Sequence, residues 1–535
     1  MSLFRNVLTV GGVTLVSRVA GFLRDTGLAA VLGGGPAADA FVVAFRLPNL
    51  FRRLFAEGAF AAAFVPLFVR RRAEAGDAAA RRFAGEALAG LTAVVVTVTL
   101  AALLAAPLLV DLLAPGFAAD PEKRDLAIRL ARICLPYLAA ITVVALLSGL
   151  TTAARRFFAA SFAPVVLNLV LITALLLTFV ADGIGPDRAA TLLAWAVVVG
   201  GAAQVALLVV AVVRAGLAPP LVAPRLSPEI GRLVRLGLPG VLAGAMSEIN
   251  IVVGTAIASS TAGAVSWLYY ADRLYQLPLG VVGIAVGQVL LPEIAHRLQG
   301  GSVEAGRDVQ NRALEFALAL ALPAAAALAL LAEPIVMVLF ERGAFAAADR
   351  LATARALAIF AVGLPAFVLA RVLAPAFYAR EDTMTPMVIG GVAVAVNVAV
   401  ALTLLPVLGW IAVAVATVVA GWVNAGLLFA RLLAHGHWRI DADLRRRLPR
   451  LAVAATVMAV CLHLATLGLA AAFEPGRSVL VAGAALAFLV GLGLAVHGAL
   501  VIALGVIEPA MPALLRRRRD VGANEPSCPR PEDRA

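Results

Sequence analysis

Charge is scarce in this sequence. Only 14% of its 535 residues are Asp, Glu, Lys or Arg, against roughly 25% in a soluble globular chain. A deficit of that size over this length excludes water as the main solvent. Cysteine is scarcer still. Cys134, Cys461 and Cys528 lie far apart without metal-ligand spacing, which excludes a disulfide framework and a zinc site. Alternation at period two is missing, which excludes an outer-membrane barrel. No GxxxxGK[ST] phosphate loop occurs in a segment assigned to the cytoplasm, so ATP-driven export has no support.

What is present is apolar length. Hydrophobic residues make up 62% of the chain, chiefly Ala, Leu and Val, and 46 glycines come in addition. Runs of about 20 apolar residues, enough to span a bilayer, recur almost throughout. The small residues let helices approach closely in lipid. Fourteen spans are predicted, at 7–33, 37–68, 84–112, 126–152, 160–181, 189–213, 233–258, 263–292, 312–340, 351–378, 384–405, 409–433, 450–472 and 478–507. The apolar run at the N-terminus continues past Arg18 and Arg24 with no cleavage site, so it reads as the first span rather than a signal peptide.

The net charge of +12 would suggest nucleic acid in a soluble protein. Here the arginines fall in alternate short loops: Arg70 to Arg72 with Arg81 and Arg82, Arg155 and Arg156, Arg225 and Arg232, Arg297 and Arg307, and Arg445 to Arg447, joined by Arg516 to Arg519. The opposite loops hold only the scattered cations Lys123, Arg124, Arg342 and Arg477. The positive-inside rule then places both termini in the cytoplasm and leaves no nucleic-acid partner. The Arg-, Pro- and Glu-rich residues 515–535 read as a disordered tail.

The chain contains an internal echo. LLVDLLAPGFAAD (Leu108 to Asp120) matches IVMVLFERGAFAAAD (Ile335 to Asp349), with Pro107 and Pro334 ahead of them. Pro66 answers Pro292, and Pro164 answers Pro386, all at offsets of about 225 residues. An offset of six spans implies two parallel six-span lobes, 1–215 and 225–435, with a substrate site between them. An extra helix pair, 450–507, lies outside the repeat.

A charge at mid-membrane costs roughly 2.5–3.5 kcal/mol on insertion scales. The first two spans nevertheless hold Arg18, Arg24, Asp25, Asp39, Arg46, Arg52, Arg53 and Glu57, and the eighth holds Asp272 and Arg273. Arg18 and Arg52 are the most central and should face a watery protein cavity. Arg53 and Glu57 are spaced to pair along a helix, and Arg46 and Arg53 read as helix braces. Several arginines in one cavity suit a phosphate or diphosphate, because guanidinium grips phosphate oxygens with two parallel bonds and stays charged.

SRVAGFLRD (Ser17 to Asp25), DAF at Asp39, RLPNLFRRLFAEGAFAAAFVP (Arg46 to Pro66), SWLYYADRLYQLPLGVVGIA (Ser266 to Ala285) and LAPAFYAREDTMTP (Leu373 to Pro386) together resemble the MurJ (MviN) family of lipid II flippases. That family lies in the multidrug/oligosaccharidyl-lipid/polysaccharide exporter superfamily. The resemblance implies an all-α polytopic membrane protein with 14 transmembrane helices. It implies export of undecaprenyl-diphosphate-linked peptidoglycan precursor from the cytoplasmic to the periplasmic leaflet of the bacterial inner membrane, serving the cell-wall synthesis machinery. It also implies a cavity lined by Arg18, Arg24, Arg52 and Arg273, with Asp39, Glu57, Ser17, Asp25 and Asn49 contributing, and a lipid-tail groove formed by spans 13 and 14. His463 and His497 in that pair read as interface histidines. No cofactor is expected. Coupling to sodium ion or to membrane potential is, and Glu248, Asp382 and Asn397 are candidate coordinating groups, although Asp382 at a helix end has an ordinary loop role by default.

Three rival readings are a flippase for another polyprenyl-diphosphate glycan, a cation-coupled drug exporter, and an enzyme acting on the same lipid. A drug exporter would want a carboxylate-dominated cavity. An enzyme would want an acid, base or metal cluster on a sizeable outer loop, and the outer loops here hold only isolated residues such as Asp120, Glu122 and Asp187.

Overall fold

The computed structural model describes the backbone of residues 2–55, 59–181, 183–225, 227–299, 303–474 and 476–506, with all their side chains except those of 2–9, 51–55, 59–62, 238–247, 281–292, 295, 297–299, 303 and 305. The predicted tail, 515–535, lies outside the described residues. Among the described residues there are seventeen α-helices, two short 3-10 turns and no strand. The first half of the chain forms α1 (Ser2–Leu32), α2 (Pro36–Phe55), α3 (Ala59–Leu104), α4 (Ala106–Leu113), α5 (Pro121–Cys134), α6 (Tyr137–Ala153), α7 (Phe157–Val180) and α8 (Pro186–Arg214). The second forms α9 (Pro228–Ala258), α10 (Ala264–Gln299), α11 (Val303–Leu330), α12 (Ala332–Phe340), α13 (Ala347–Tyr378), α14 (Met384–Leu408) and α15 (Ile411–Ala434), followed by α16 (Ala442–Gly468) and α17 (Val479–Ala503).

Helix is the only open-ended way to satisfy backbone N–H and C=O groups in hydrocarbon. Proline marks the first turn of α2, α5, α8 and α9, where its missing N–H costs nothing. Ten helices among the described residues are long and apolar enough to cross a membrane. Their outer faces confirm the solvent: Leu104, Val407 and Leu480 are at least 80% exposed, an arrangement that suits lipid rather than water.

One expected loop is not a loop. The arginine-rich stretch 69–83 continues α3, interrupted only where Gly76 takes φ 79°. Its Ala, Arg and Glu residues are good helix formers, and Arg70–Glu74 and Arg82–Glu86 pair one turn apart. Three expected single spans are instead broken helices, one of them at Leu135 and Pro136 between α5 and α6. The breaks at Ala105 and Leu331 precede the repeated prolines Pro107 and Pro334.

Packing repeats along with the sequence. In the first half α1 packs on α7, α7 on α8, α2 on α5, and α6 on both α3 and α8. In the second, α9 packs on α14, α14 on α15, α10 on α13, and α13 on both α11 and α15. The pair α16 and α17 rests on α11 and α12.

The halves interlock at one end, through the repeated motifs. Gly116 of the first motif donates its N–H to Ser259 Oγ at the end of α9 (2.9 Å). Gly343 of the second abuts the Ala30 carbonyl near the end of α1, and Ala344 N–H donates to that same carbonyl (2.8 Å). Each motif thus presses on the helix end belonging to the other half. Only glycine fits: a Cβ on Gly116 would overlap the Ser259 backbone, and one on Gly343 would overlap Ala30 while sitting at φ 59°.

Gly343→Ala is therefore expected to lower the thermal midpoint of the detergent-solubilised protein, through strain of about 1–3 kcal/mol. Gly35→Ala, where an added Cβ meets nothing within 4 Å, should leave the midpoint unchanged. Equal midpoints for the two variants would sink this account of the interlock.

Candidate functional site

A cavity of about 530 Å³ lies between the halves, walled by residues of α1, α2, α6 to α10, α13 and α15. At its α1 wall, Arg24 and Asp25 face opposite tasks. Asp25 is buried, and its Oδ1 accepts from Arg24 Nη2 (2.7 Å), Arg24 Nε (3.0 Å) and the Tyr269 hydroxyl (3.0 Å). Its Oδ2 lies 3.7 Å from Arg273 Nε. Arg273 also stacks over the Tyr269 ring at 4.7 Å, a favourable cation–π placement. One buried carboxylate therefore binds an arginine from α1 and another from α10. Arg24 is fixed a second time by Asn168 on α7, whose Oδ1 accepts from Nη1 (2.9 Å) while its Nδ2 donates to the Ser17 carbonyl (3.2 Å).

The opposite wall is polar as well. Arg46 lines the cavity and donates to the Thr255 hydroxyl on α9. Asn49 lines it and donates to the Phe45 carbonyl (2.8 Å). Glu248, Asn250, Asp272 and Gln204 complete the polar lining. Gln204 ties α8 to α7 by donating to the Ala163 carbonyl (2.8 Å). Among the described residues the wall thus carries Arg24, Arg46 and Arg273 against Glu248 and Asp272, with Asp25 behind. The arginines are nearly balanced by carboxylates rather than in large excess.

A family model described as Lipid II flippase MurJ matches residues 28–482. The chain belongs to the MurJ family. A relative from Rhizobium meliloti (strain 1021), named "Probable lipid II flippase MurJ", is 46% identical over 100% of this chain and 99% of its own length. One from Burkholderia cenocepacia, named "Lipid II flippase MurJ", is 34% identical over 86% and 90%. Two solved structures share the fold. One is described as lipid II flippase MurJ in an inward closed conformation (TM-score 0.74, 21% identity, 96% of this chain and 99% of that one). The other is an inward-facing multidrug resistance MATE transporter of the MOP superfamily (TM-score 0.66, 18% identity, 78% and 95%).

The MurJ-type motif residues fall into separate places. Arg24, Asp25, Asn49 and Arg273 meet at or directly behind the cavity wall, and Ser17 supports Asn168. Arg18 is exposed and lies against Gly280 of α10, crossing between the halves rather than lining the cavity. The Arg52 and Arg53 side chains, and Glu57, lie outside the described residues.

Asp39 is not at the cavity wall. It is fully buried in the interlocked end, where its carboxylate accepts from Lys123 Nζ (2.6 Å), Gly263 N–H (2.8 Å) and Ser266 N–H (2.9 Å). Lys123, expected among scattered loop cations, is likewise buried. A loop cation can turn inward when a carboxylate needs it. Nearby, Asp349 accepts from Trp267 Nε1 (2.7 Å), Ala346 N–H (3.0 Å) and Gly34 N–H (3.3 Å).

The candidate coupling residues do not converge. Glu248 faces the cavity. Asn397 on α14 donates to Thr417 on α15 (3.4 Å). Asp382 accepts from Thr385 N–H (2.9 Å), beside the start of α14. No group of three or more His, Cys, Asp or Glu side chains able to hold a metal occurs among the described residues. In the last helix pair His497 is buried, with Nε2 3.0 Å from the Ala319 carbonyl of α11, and His463 is exposed.

Sequence reasoning missed Asn168, Gln204, Tyr269, Lys123 and Asp349, and undervalued Arg46. Asn168 and Gln204 did leave a signal, as lone amides in otherwise apolar spans.

Asn168→Ala removes the neutral anchor of Arg24. The expected result is a loss on the order of tenfold in affinity for inorganic pyrophosphate, read by calorimetry. Unchanged affinity would detach Asn168 from the site. For Asp382, backbone and side-chain hydrogen bonds from Thr385 hold the carboxyl below its usual range. Its contribution is complete above the free carboxylate value of about 4 and is lost as pH falls through the lower folded value. Asp382→Ala should lower the thermal midpoint at pH 7 and converge with the parent in acid, while Asp382→Asn, whose amide oxygen can still accept from Thr385 N–H, should retain most of it.

Proposed function

We infer that this chain is a lipid II flippase, carrying the undecaprenyl-diphosphate-linked peptidoglycan precursor from the cytoplasmic to the periplasmic leaflet of the bacterial inner membrane. The observation that carries this is full-length identity of 46% to relatives named for that activity. As a transporter it makes and breaks no bond in its substrate.

The proposed architecture is fourteen spans in two six-span lobes, 1–215 and 225–435, followed by the pair 450–507. The repeated set of helix pairings in the two halves supports it. The broken helices α3–α4, α5–α6 and α11–α12 then each supply the span expected there. Both termini are assigned to the cytoplasm, and the interlocked end to the periplasm. Helix α9 supports that direction. It begins in the arginine-rich region, where Glu229 pairs with Arg71 (3.2 Å), and ends at Ser259 in the interlock. Its 31 residues rise roughly 45 Å.

The mechanism proposed is alternating access. The diphosphate enters from the cytoplasmic side and takes over the guanidinium groups of Arg24 and Arg273 from Asp25. Asn168 keeps Arg24 oriented during that exchange. Arg18 and Arg52 complete the cationic path on the strength of the family motif. The lobes then part at the periplasmic end, and the released lipid passes to the cell-wall synthesis machinery. The polyprenyl tail runs along α16 and α17. For the driving force we propose membrane potential, which favours outward movement of an anion by roughly 2.3 kcal/mol per charge per 100 mV. A contribution from sodium would have to involve Glu248, the one coupling candidate that faces the cavity.

Depleting the protein in its host, with lipid II then assayed by leaflet, should leave precursor stranded on the cytoplasmic side. Normal periplasmic delivery in a host with no second flippase would refute the assignment. Arg273→Ala or Arg18→Ala as the sole copy should fail to support growth despite normal membrane levels.

A further inference from the structure

The interlock contains two carboxylates that each join the halves, and among the described residues only Asp39 is paired with a cation. Asp349 is part-exposed and is served by neutral donors from both halves, Trp267 Nε1 and Gly34 N–H. Asp39 is 0% exposed. The two backbone donors that reach it from the second half, Gly263 and Ser266, are joined by Lys123 from the first. Lys123 is itself 4% exposed and sits 4.1 Å over the Phe117 ring, in the turn whose Gly116 grips Ser259. Water can finish the solvation of Asp349. It cannot reach Asp39 while the halves are closed, so that carboxylate depends on Lys123.

We propose that Lys123 is a positioning residue for translocation: it supplies the positive charge that lets Asp39 stay buried between Gly263 and Ser266, and so sets how readily the closed periplasmic end opens. Breaking a buried pair by removing one partner leaves a bare charge and is strongly unfavourable, whereas removing both charges together is close to neutral. In the open state water reaches both groups, so the penalty falls on the closed state alone. Losing Lys123 therefore favours opening, and neutralising Asp39 as well restores closure. This inference rests on alternating access but not on which lipid is carried.

The test is the accessibility of position 266. Ser266 contacts Asp39 through its backbone N–H, so Ser266→Cys keeps that bond. The reporter chain carries Ser266→Cys, Cys461→Ser and Cys528→Ser, and retains the fully buried Cys134 as an internal control. In lipid nanodiscs it is treated with a polar maleimide, and each site is read by peptide mass. Lys123→Met and Asp39→Asn should each speed labelling at 266 by at least about tenfold. Lys123→Met with Asp39→Asn should return to within a few-fold of the parent, and Lys123→Arg should resemble it. Cys134 should stay unlabelled throughout, which a generally loosened fold would not allow. Parent-like labelling in Lys123→Met, or a double variant as fast as its singles, overturns the inference. Should Lys123→Met not fold, Asp39→Asn against the double variant carries the same comparison. Position 266 silent in every chain would remove alternating access, and this inference with it. A labelled parent with an indifferent Lys123→Met would remove only the role of Lys123.

Discussion

A carboxylate removed from water survives only if donors replace its hydration, and Asp25 and Asp39 show what that demand does to this chain. Neither finds enough donors on its own helix. Asp25 draws Tyr269 and Arg273 across from α10, and Asp39 draws the backbone of Gly263 and Ser266. Satisfying two acids of the first half therefore holds the second half against it at two levels, one at the cavity and one at the interlocked end. Apolar packing cannot supply this selectivity, because lipid tails are as apolar as Leu and offer helices no hydrophobic reason to choose each other.

In the proposed cycle the same two acids would let a rigid contact also be a movable one. Charge-assisted bonds are strong when dry and weaken steeply when water enters. An interface built on them is held in one state and released in another, without rearrangement of the helices that carry them. The repeated motifs around Gly116 and Gly343 serve that arrangement by exact fit of backbone against backbone. Because each motif grips the other half, parting the halves opens both contacts together.

The cavity follows a related logic. An empty site lined by free guanidinium groups would repel itself and bind any passing anion. Asp25 stands between Arg24 and Arg273 and removes much of that cost, and in the proposed cycle the substrate would displace it. A diphosphate carries more charge and more acceptor oxygens than one carboxylate, so the exchange favours it over weaker anions. On the proposed mechanism, the near balance of Arg24, Arg46 and Arg273 with Glu248, Asp272 and Asp25 would act as a filter, where a large arginine excess would act as a sink.

Much of this was legible from residues alone. Long apolar runs dictate helices because hydrocarbon leaves the backbone no other partner. Arginines at positions 24 and 273 implied a shared cavity, since charges cannot face lipid, and both line one; the echo of Leu108–Asp120 in Ile335–Asp349 is the ground for proposing a duplication. Chain order could not say which acid meets which cation. Asp25 and Asp39 look alike in sequence, yet one stands behind the cavity wall and the other is sealed in the interlock. Lys123 looked like a loop cation and is buried, while Arg46 looked like a brace and lines the cavity. Those differences arise because the partner of each charge lies on a different helix, often more than a hundred residues away, and only the packing of the helices brings the two together.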